Sequence, residues 1–377
     1  MSLTREIKDF ALDLGYSAVG VTSTESFPAY TSELRSRPEM YTWFVEGPRQ
    51  PLRGAEPRSL MPAARSIISL VYDYGRTAFP EKLVGTIGRL YLARCYNAPP
   101  QRIHGARRRL MQEFLEKRGC EIGLNVVIPE RMTAARAGIA TYGRNTFAYA
   151  GDSGSFIVLT SFVVDAELEI DSPTMEIGCP PKCRACMDAC PTAAIYEPLK
   201  IDPRRCIAYN TFTTQESSGG GITSHISVEI REKMGSWIHG CDLCQQACPR
   251  NRKSLKAAKS CDPFLEAMAE AFDLRKVLCA DEAFFGRVIQ PLMYNYIKEK
   301  RTFQRNAAIA LGNTRDPQYL PDLARAMNDP EPLGRGYAAW AMGRIGGEKA
   351  KAQLEAASLR EMVKPVQQEI LAALGRA

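Results

Sequence analysis

Histidine is almost missing from this 377-residue chain, which has three: His104, His225 and His239. No Ser/His/Asp grouping and no His-based zinc spacing can be drawn from them, which argues against hydrolytic and metallohydrolase chemistry. No Gly-x4-Gly-Lys-Ser/Thr segment is present to cradle a nucleotide phosphate. No apolar run approaches the roughly 20 residues that cross a bilayer, so no membrane association is expected. The opening Met1-Ser2-Leu3-Thr4-Arg5-Glu6 has neither the apolar core nor the twin arginine of an export signal, and a cytoplasmic location is expected. Charge of one sign is in mild excess at +7, which permits an anionic partner such as RNA without requiring one. With 24% charged and 45% hydrophobic residues, the chain is long enough for two or three domains with full cores.

What is abundant is cysteine. Eight of the twelve fall into two linked sets: Cys179-x3-Cys183-x2-Cys186-x3-Cys190-Pro191, and Cys206 followed by Cys241-x2-Cys244-x3-Cys248-Pro249. Two-residue gaps let successive sulfurs turn inward on one loop, and a Cys-Pro ending sends its sulfur to the neighbouring cluster. The pattern predicts two [4Fe–4S] clusters. Cys179, Cys183, Cys186 and Cys248 are expected on one, and Cys190, Cys206, Cys241 and Cys244 on the other. Two zinc knuckles would leave the Cys-Pro endings unexplained, and a reducing cytosol disfavours disulfides. Cys95, Cys120, Cys261 and Cys279 read as buried thiols. His239, just before the second run, is expected to shape the loop or bond a cluster sulfur.

Apolar periodicity predicts a helix over Leu3–Leu14 with Thr4 as its cap, and a basic-faced helix over Ile103–Arg118. Strands are predicted at Ala18–Thr22, Ser66–Tyr72 and Phe156–Val164. The segment rich in cysteine is loop-like, as a fold organised by metal can be. Gly219–Gly221 reads as a mobile loop able to fold over a substrate. Near the C-terminus one unit recurs: Asn306-Ala-Ala-Ile-Ala-Leu-Gly312, Tyr337-Ala-Ala-Trp-Ala-Met-Gly343 and Glu369-Ile-Leu-Ala-Ala-Leu-Gly375. The glycines are 31 and 32 residues apart (343 − 312 and 375 − 343). Asp316-Pro317 and Asp329-Pro330 supply the turns, giving HEAT-like helical pairs. The stack is either a structural cap or a docking face, with Arg301, Arg305, Arg325, Arg335 and Arg344 as candidate phosphate contacts.

The ordered set of motifs resembles the epoxyqueuosine reductase family. The segments that carry the resemblance are Asp9-Phe-Ala-x-x-Leu-Gly15-Tyr-x-Ala-Val-Gly20-Val, Gly54-Ala-Glu-Pro57, Leu60-Met-Pro62, Ser66-Ile-Ile68, Ala137-Gly-Ile139, Gly143-Arg-Asn145 and Gly154-Ser155. Cys206-Ile-Ala-Tyr209-x-Thr211 and Gly240-Cys-Asp-x-Cys-Gln245-x-x-Cys-Pro249 complete it. The resemblance implies an α+β protein. It would have a cobalamin-binding α/β domain over 1–171, a ferredoxin-like two-cluster domain over 172–255 and a helical linker with HEAT-like repeats over 256–377. It implies a base-off cobalamin reduced to Co(I) through the clusters, and reduction of epoxyqueuosine in tRNA to queuosine. The implied partners are tRNA, met through the repeats and basic surface, and an external low-potential electron donor; the chain is expected to be a monomer. Tyr96, Gly138, Gly143, Arg144, Asn145, Gly154, Ser155, Tyr209 and Gln245 fall on positions near the corrin, the glycines letting backbone approach a flat ring.

Departures from the family pattern also bear on function. Its catalytic aspartate falls on Glu130, a carboxyl one methylene longer, whose pKa burial would raise to suit a proton donor. Glu130 also reads as a salt-bridge partner of Arg131 or Arg136. The family's Asp-Tyr-His appears as Cys95-Tyr96-Asn97, its Gly-Lys-Asn carries Arg144, its Leu-Thr-Ile-Glu becomes Asn210-Thr-Phe-Thr213, and its Cys-Pro-Trp-Asn becomes Cys248-Pro-Arg-Asn251. These changes read as clustering at the substrate end and suggest another substrate. Two other functions are therefore carried alongside: a reductive dehalogenase-like enzyme acting on a small organic molecule, which the arrangement distantly resembles, and an electron-transfer protein serving a corrinoid partner.

Overall fold

The computed structural model describes residues 1–377 except 47–49, 94–102, 124–126, 175, 214–225, 258, 294–298 and 377. Tyr96, with Cys95 and Asn97, and the Gly219–Gly221 loop lie outside the described residues.

Three strands make the main sheet, in the order Ala18–Ser23, Ser66–Asp73, Ile157–Val164, and both pairings are antiparallel. Ser66–Asp73 is a nearly continuous apolar run because it is the central strand, covered on both faces: its first six residues are all buried. The helices Leu3–Asp13 and Ile103–Lys117 cover one face. Ile7, Ala11, Met111 and Leu115 are fully buried there, and the rings of Phe10 and Phe114 stack at 4.1 Å. The first helix is capped by Ser2, whose Oγ accepts from the Arg5 amide at 3.4 Å, rather than by Thr4. Thr4 sits inside the helix and is buried, because its Oγ1 accepts from the Glu169 amide at 2.9 Å and so ties the helix to the chain beyond the sheet.

The cysteine-bearing segment is two similar short turns of helix, Ala185–Asp188 and Leu243–Gln246, packed on each other. A two-strand hairpin, Ile195–Glu197 with Lys200–Ile201, leans on the first of them. The C-terminal region stacks three long helices, Lys300–Thr314, Pro332–Ile345 and Lys364–Leu374, with Leu320–Ala326 and Glu348–Ser358 between them. Asp316 and Asp329 make the turns: their Oδ1 atoms accept from the Gln318 and Glu331 amides at 2.9 and 2.8 Å. The largest core runs through this stack and takes in Leu83, Ile87 and Leu92. Those residues belong in sequence to the first domain, yet they pack with the last.

The spacing of the repeat glycines has a direct cause. A Cβ on Gly312 would lie 2.7 Å from the Cα of Ala341, and one on Gly343 would lie 2.7 Å from the Cα of Ala373. Each of these two glycines lets the next repeat's helix approach at an alanine, whereas Gly375 has ordinary contacts only. Gly343→Val should therefore overpack a backbone contact and cost about 1–3 kcal/mol. Thermal unfolding should move down while iron content stays unchanged.

Candidate functional site

The eight cysteines converge as two groups. Cys179, Cys183, Cys186 and Cys248 line one small cavity, together with Arg144, Asn145, Tyr149 and Arg250. Burial pushes the Cys186 thiol up to about 11, and nearby Cys248, Cys179 and Cys183 add to the shift. Cys190, Cys206, Cys241 and Cys244 make the second, and each is half-buried. Burial raises Cys241, and Cys206, Asp242 and Cys190 reinforce it. Burial likewise raises Cys244, with Cys206, Cys241, Asp242 and Cys186 reinforcing. Thiols this reluctant to ionise lose their protons to a metal. Among the described residues no three His, Cys, Asp or Glu side chains converge on a single metal ion. A tetrahedral zinc site would draw sulfurs to within ~4 Å of one another, as Zn–S bonds of ~2.3 Å dictate. A donor set of sulfur alone, in two groups of four, fits iron–sulfur cages.

Around the first group the chain supplies donors that the cysteine spacing did not reveal. The Arg144 amide donates to Cys179 Sγ at 3.4 Å, and its Nη1 donates to the Cys183 carbonyl at 2.9 Å. Tyr149 donates its hydroxyl to Cys248 Sγ at 3.2 Å, and Asn145 Nδ2 donates to the Tyr149 oxygen at 2.9 Å. Burial raises the Tyr149 pKa, so the phenol keeps its proton. Tyr149 was missed in the sequence because a lone tyrosine in a short strand carries no local sign of the sulfur it meets 99 residues away.

A buried network joins the cysteine segment to the sheet domain. Ser155 Oγ donates to Gln245 Oε1 at 2.8 Å, and Asn251 Oδ1 accepts from the Ser155 amide at 2.9 Å. Asn251 Nδ2 donates to the Gln245 carbonyl at 2.8 Å. Next to it, Asp242 accepts from the Arg89 amide and Nη1 at 2.8 and 3.1 Å. Arg144, Asn145, Ser155 and Gln245, read from the sequence as corrin positions, thus meet the cysteines or the frame that holds them. Tyr209 is half-buried just after Cys206, and burial raises its pKa. The glycines behave similarly, because the room each leaves is filled by this chain. A Cβ on Gly138 would meet the Ser172 carbonyl at 2.4 Å, on Gly143 the Tyr149 ring at 2.3 Å, and on Gly154 Asn251 Oδ1 at 2.1 Å. Gly138 and Gly154 also have positive φ, 74° and 61°, which disfavours any other residue.

Glu130 opens the helix Glu130–Arg136, and Arg131 follows it. Ser161, on the strand Ile157–Val164, donates to Glu130 Oε2 at 2.5 Å. Burial raises the Glu130 pKa, while the Ser161 hydrogen bond and the Arg108 charge pull it down. Neither arginine pairs with it. Arg131 Nη1 donates to the Thr146 carbonyl at 3.0 Å, and Arg136 is spent on Thr22 and the carbonyls of Ser23, Glu25 and Ser26. Arg131 is exposed, yet burial lowers its pKa, and Tyr142, Tyr30, Tyr91 and Tyr41 oppose that shift. Tyr91 also meets the second cysteine group: a Cβ on Gly240, next to Cys241, would meet its ring at 2.4 Å. The Tyr142 hydroxyl is buried without a hydrogen-bond partner among the described residues.

Three expectations change. Arg144 and Arg250, taken as departures at the substrate end, lie at the first cysteine group; Asn210 and Thr213 lie under the repeats, where their carbonyls accept from Arg305. The five repeat arginines do not offer free guanidinium groups. Arg305 is fully buried, Arg335 is held by Glu361, Arg344 by Glu232, Arg325 by Asp322, and Arg301 by Glu299 and Glu331. Cys279 is half-buried and accepts from Arg325 Nε at 3.2 Å, and Cys261 is also half-buried. His239 is fully buried and touches the rings of Tyr91, Phe212 and Phe303. Burial drops its pKa to about 3, so it shapes the loop as a neutral ring.

Eight cysteines gathered in one segment, flanked by an antiparallel sheet and a helical stack, define an iron–sulfur oxidoreductase. Residues 179–251 match the 4Fe–4S double cluster binding domain family, and residues 291–375 match HEAT repeats. The chain is 30% identical over 367 residues to an epoxyqueuosine reductase of Escherichia coli (strain K12), covering 90% of this chain and 89% of that one. It is 27% identical to that of Bacillus subtilis (strain 168), covering 98% and 94%. A solved selenomethionine-labelled epoxyqueuosine reductase superposes with a TM-score of 0.82 at 26% identity, over 99% of this chain and 98% of the other. Another, bound to an epoxyqueuosine-modified tRNA-Tyr stem loop, gives 0.80 at 25%, with the same coverage. The chain belongs to the epoxyqueuosine reductase family. No helix among the described residues is long and apolar enough to cross a membrane.

Proposed function

We propose that this chain reduces epoxyqueuosine in tRNA to queuosine. Removal of the epoxide oxygen as water takes two electrons and two protons. The electrons come from an external low-potential donor and pass through two [4Fe–4S] clusters, one held by Cys179, Cys183, Cys186 and Cys248, the other by Cys190, Cys206, Cys241 and Cys244. Cobalamin, when bound, supplies a low-valent cobalt nucleophile. It would be held beside Glu130 and Arg131, where the Tyr142 hydroxyl, without a partner among the described residues, and the neighbouring tyrosines suit a large flat ligand with polar edges. Glu130 gives a proton to the departing oxygen. Ser161 fixes the carboxyl, and burial keeps it protonated at higher pH than an ordinary glutamate.

The observation that carries this reading is one carboxyl, Glu130, held by Ser161 next to the exposed Arg131, in a chain that also gathers eight cysteines. With Arg144 and Arg250 at the cysteines and Asn210 and Thr213 under the repeats, these four departures give no reason to prefer a small organic substrate. The test is anaerobic turnover of full-length protein, reconstituted with iron, sulfide and cobalamin, on an epoxyqueuosine stem loop. Mass analysis should show loss of one oxygen, and stem-loop binding should weaken steeply as salt rises. A protein that carries both clusters and the corrinoid but leaves the stem loop unchanged overturns the proposal. Reduction of an organohalide, or of a separate corrinoid protein, would then select between the two other readings.

A further inference from the structure

The first cysteine group has a hydroxyl donor and a cation beside it. Tyr149 reaches Cys248 Sγ at 3.2 Å. A phenol has one proton, and Asn145 Oδ1 at 3.2 Å competes for it. Asn145 Nδ2, however, donates to the same phenol oxygen at 2.9 Å, and a thiolate is the stronger acceptor because it carries charge. The proton therefore goes to sulfur. Above the ring, Arg250 Cζ lies 4.1 Å from the centroid. Among the described residues Arg250 itself donates to neutral oxygens, the Tyr142 carbonyl at 3.0 Å and Thr141 Oγ1 at 2.6 Å, and pairs with no carboxylate. A cation on the face draws electron density from the ring and makes the hydroxyl a better donor. The second group differs. Cys190 Sγ accepts from the Ala194 amide at 3.3 Å, backbone amides also serve Cys206 and Cys241, and Asp242, which acts on Cys241 and Cys244, is paired with Arg89 Nη1 at 3.1 Å.

Adding an electron makes a cluster more negative. Hydrogen bonds to its sulfurs and nearby positive charge favour that change. We infer that Tyr149, oriented by Asn145 and capped by Arg250, raises the reduction potential of the cluster held by Cys179, Cys183, Cys186 and Cys248. The inference rests on the cysteine partition proposed above. Tyr149 and Arg250 are positioning residues: they act through Cys248, and each step is a one-electron reduction by a chemical reductant.

The experiment is a potentiometric titration of full-length, anaerobically reconstituted protein with dithionite and mediators, read by electron paramagnetic resonance before any corrinoid is added. Two cluster signals with separate midpoints are expected, and Cys248→Ser and Cys179→Ser should both perturb the same one. Tyr149→Phe should lower that midpoint by about tenfold in the reduction equilibrium, ~59 mV for one electron, and leave the other in place. An unmoved midpoint with full iron content overturns the inference, as does movement of the other signal alone. If Cys248→Ser and Cys179→Ser perturb different signals, the partition has failed instead, whatever Tyr149→Phe does. Should Tyr149→Phe lose its cluster, Arg250→Gln decides: a drop in the same midpoint supports the inference, and no drop overturns it.

Discussion

Glu130→Gln should lower turnover by about 10²–10⁴-fold, the range for loss of a positioned general acid, with both clusters retained. The substitution is nearly isosteric. Its amide oxygen can still accept from Ser161, which donates to Glu130 at 2.5 Å, so geometry is kept and only the proton is lost. The pH dependence carries a sign. Burial holds the Glu130 carboxyl above its ordinary pKa, so the acid form is present at low pH and disappears as pH rises through that raised value. Activity should fall along that limb, and the limb should be absent from the residual rate of the Gln variant. Stability follows the same direction: the fold favours the neutral carboxyl and loses that contribution on the alkaline side. Because the Ser161 hydrogen bond pulls the value down, Ser161→Ala should move the limb to higher pH. Single-turnover rates on prereduced enzyme measure all of this. Full activity in Glu130→Gln would remove Glu130 from the mechanism.

Arg305→Leu should separate the helical stack from the cysteine segment. Arg305 is completely buried, and burial lowers its pKa to about 10, which leaves it charged at neutral pH. It donates to the Thr213 carbonyl at 2.7 Å, the Asn210 carbonyl at 3.0 Å and Asn306 Oδ1 at 3.0 Å. Leucine takes the donor from the Thr213 carbonyl and Asn306 Oδ1, at about 1–3 kcal/mol each, while the Asn210 carbonyl keeps the Thr213 hydroxyl at 2.9 Å; the loss is partly offset by no longer burying a charge. Arg305→Lys should not rescue, since one ammonium lacks the planar fork that reaches both carbonyls. The expected result is an early thermal transition and faster proteolysis between the cysteine segment and the repeats. Unchanged unfolding in both variants would show that the stack is held by its apolar contacts alone.

The sheet strands, the opening helix and the repeats were legible because their signals are local. The run Ser66–Tyr72 is apolar throughout, and Asn306–Gly312 recurs at nearly constant spacing. The cap of the first helix was not legible: Ser2 and Thr4 are both chemically suited, and the choice turns on Glu169, whose amide claims Thr4. The repeat arginines misled for the same reason. Nothing near Arg305 in sequence tells that Asn210 and Thr213 will close over it, or near Arg335 that Glu361 will hold it.

By itself the sequence determined the redox class. Cysteine spacing and the Cys-Pro endings are properties of a few adjacent residues, and metal demands ligands of one kind at short intervals. Tertiary structure alone decided which charges face the cysteines. Tyr149, Arg144 and Arg250 reach them, while Arg305 is buried under the repeats and the other repeat arginines are held by carboxylates. The physical reason is that a cage of sulfur can be written into a loop, whereas the polarity around it comes from side chains that meet only after distant segments have packed.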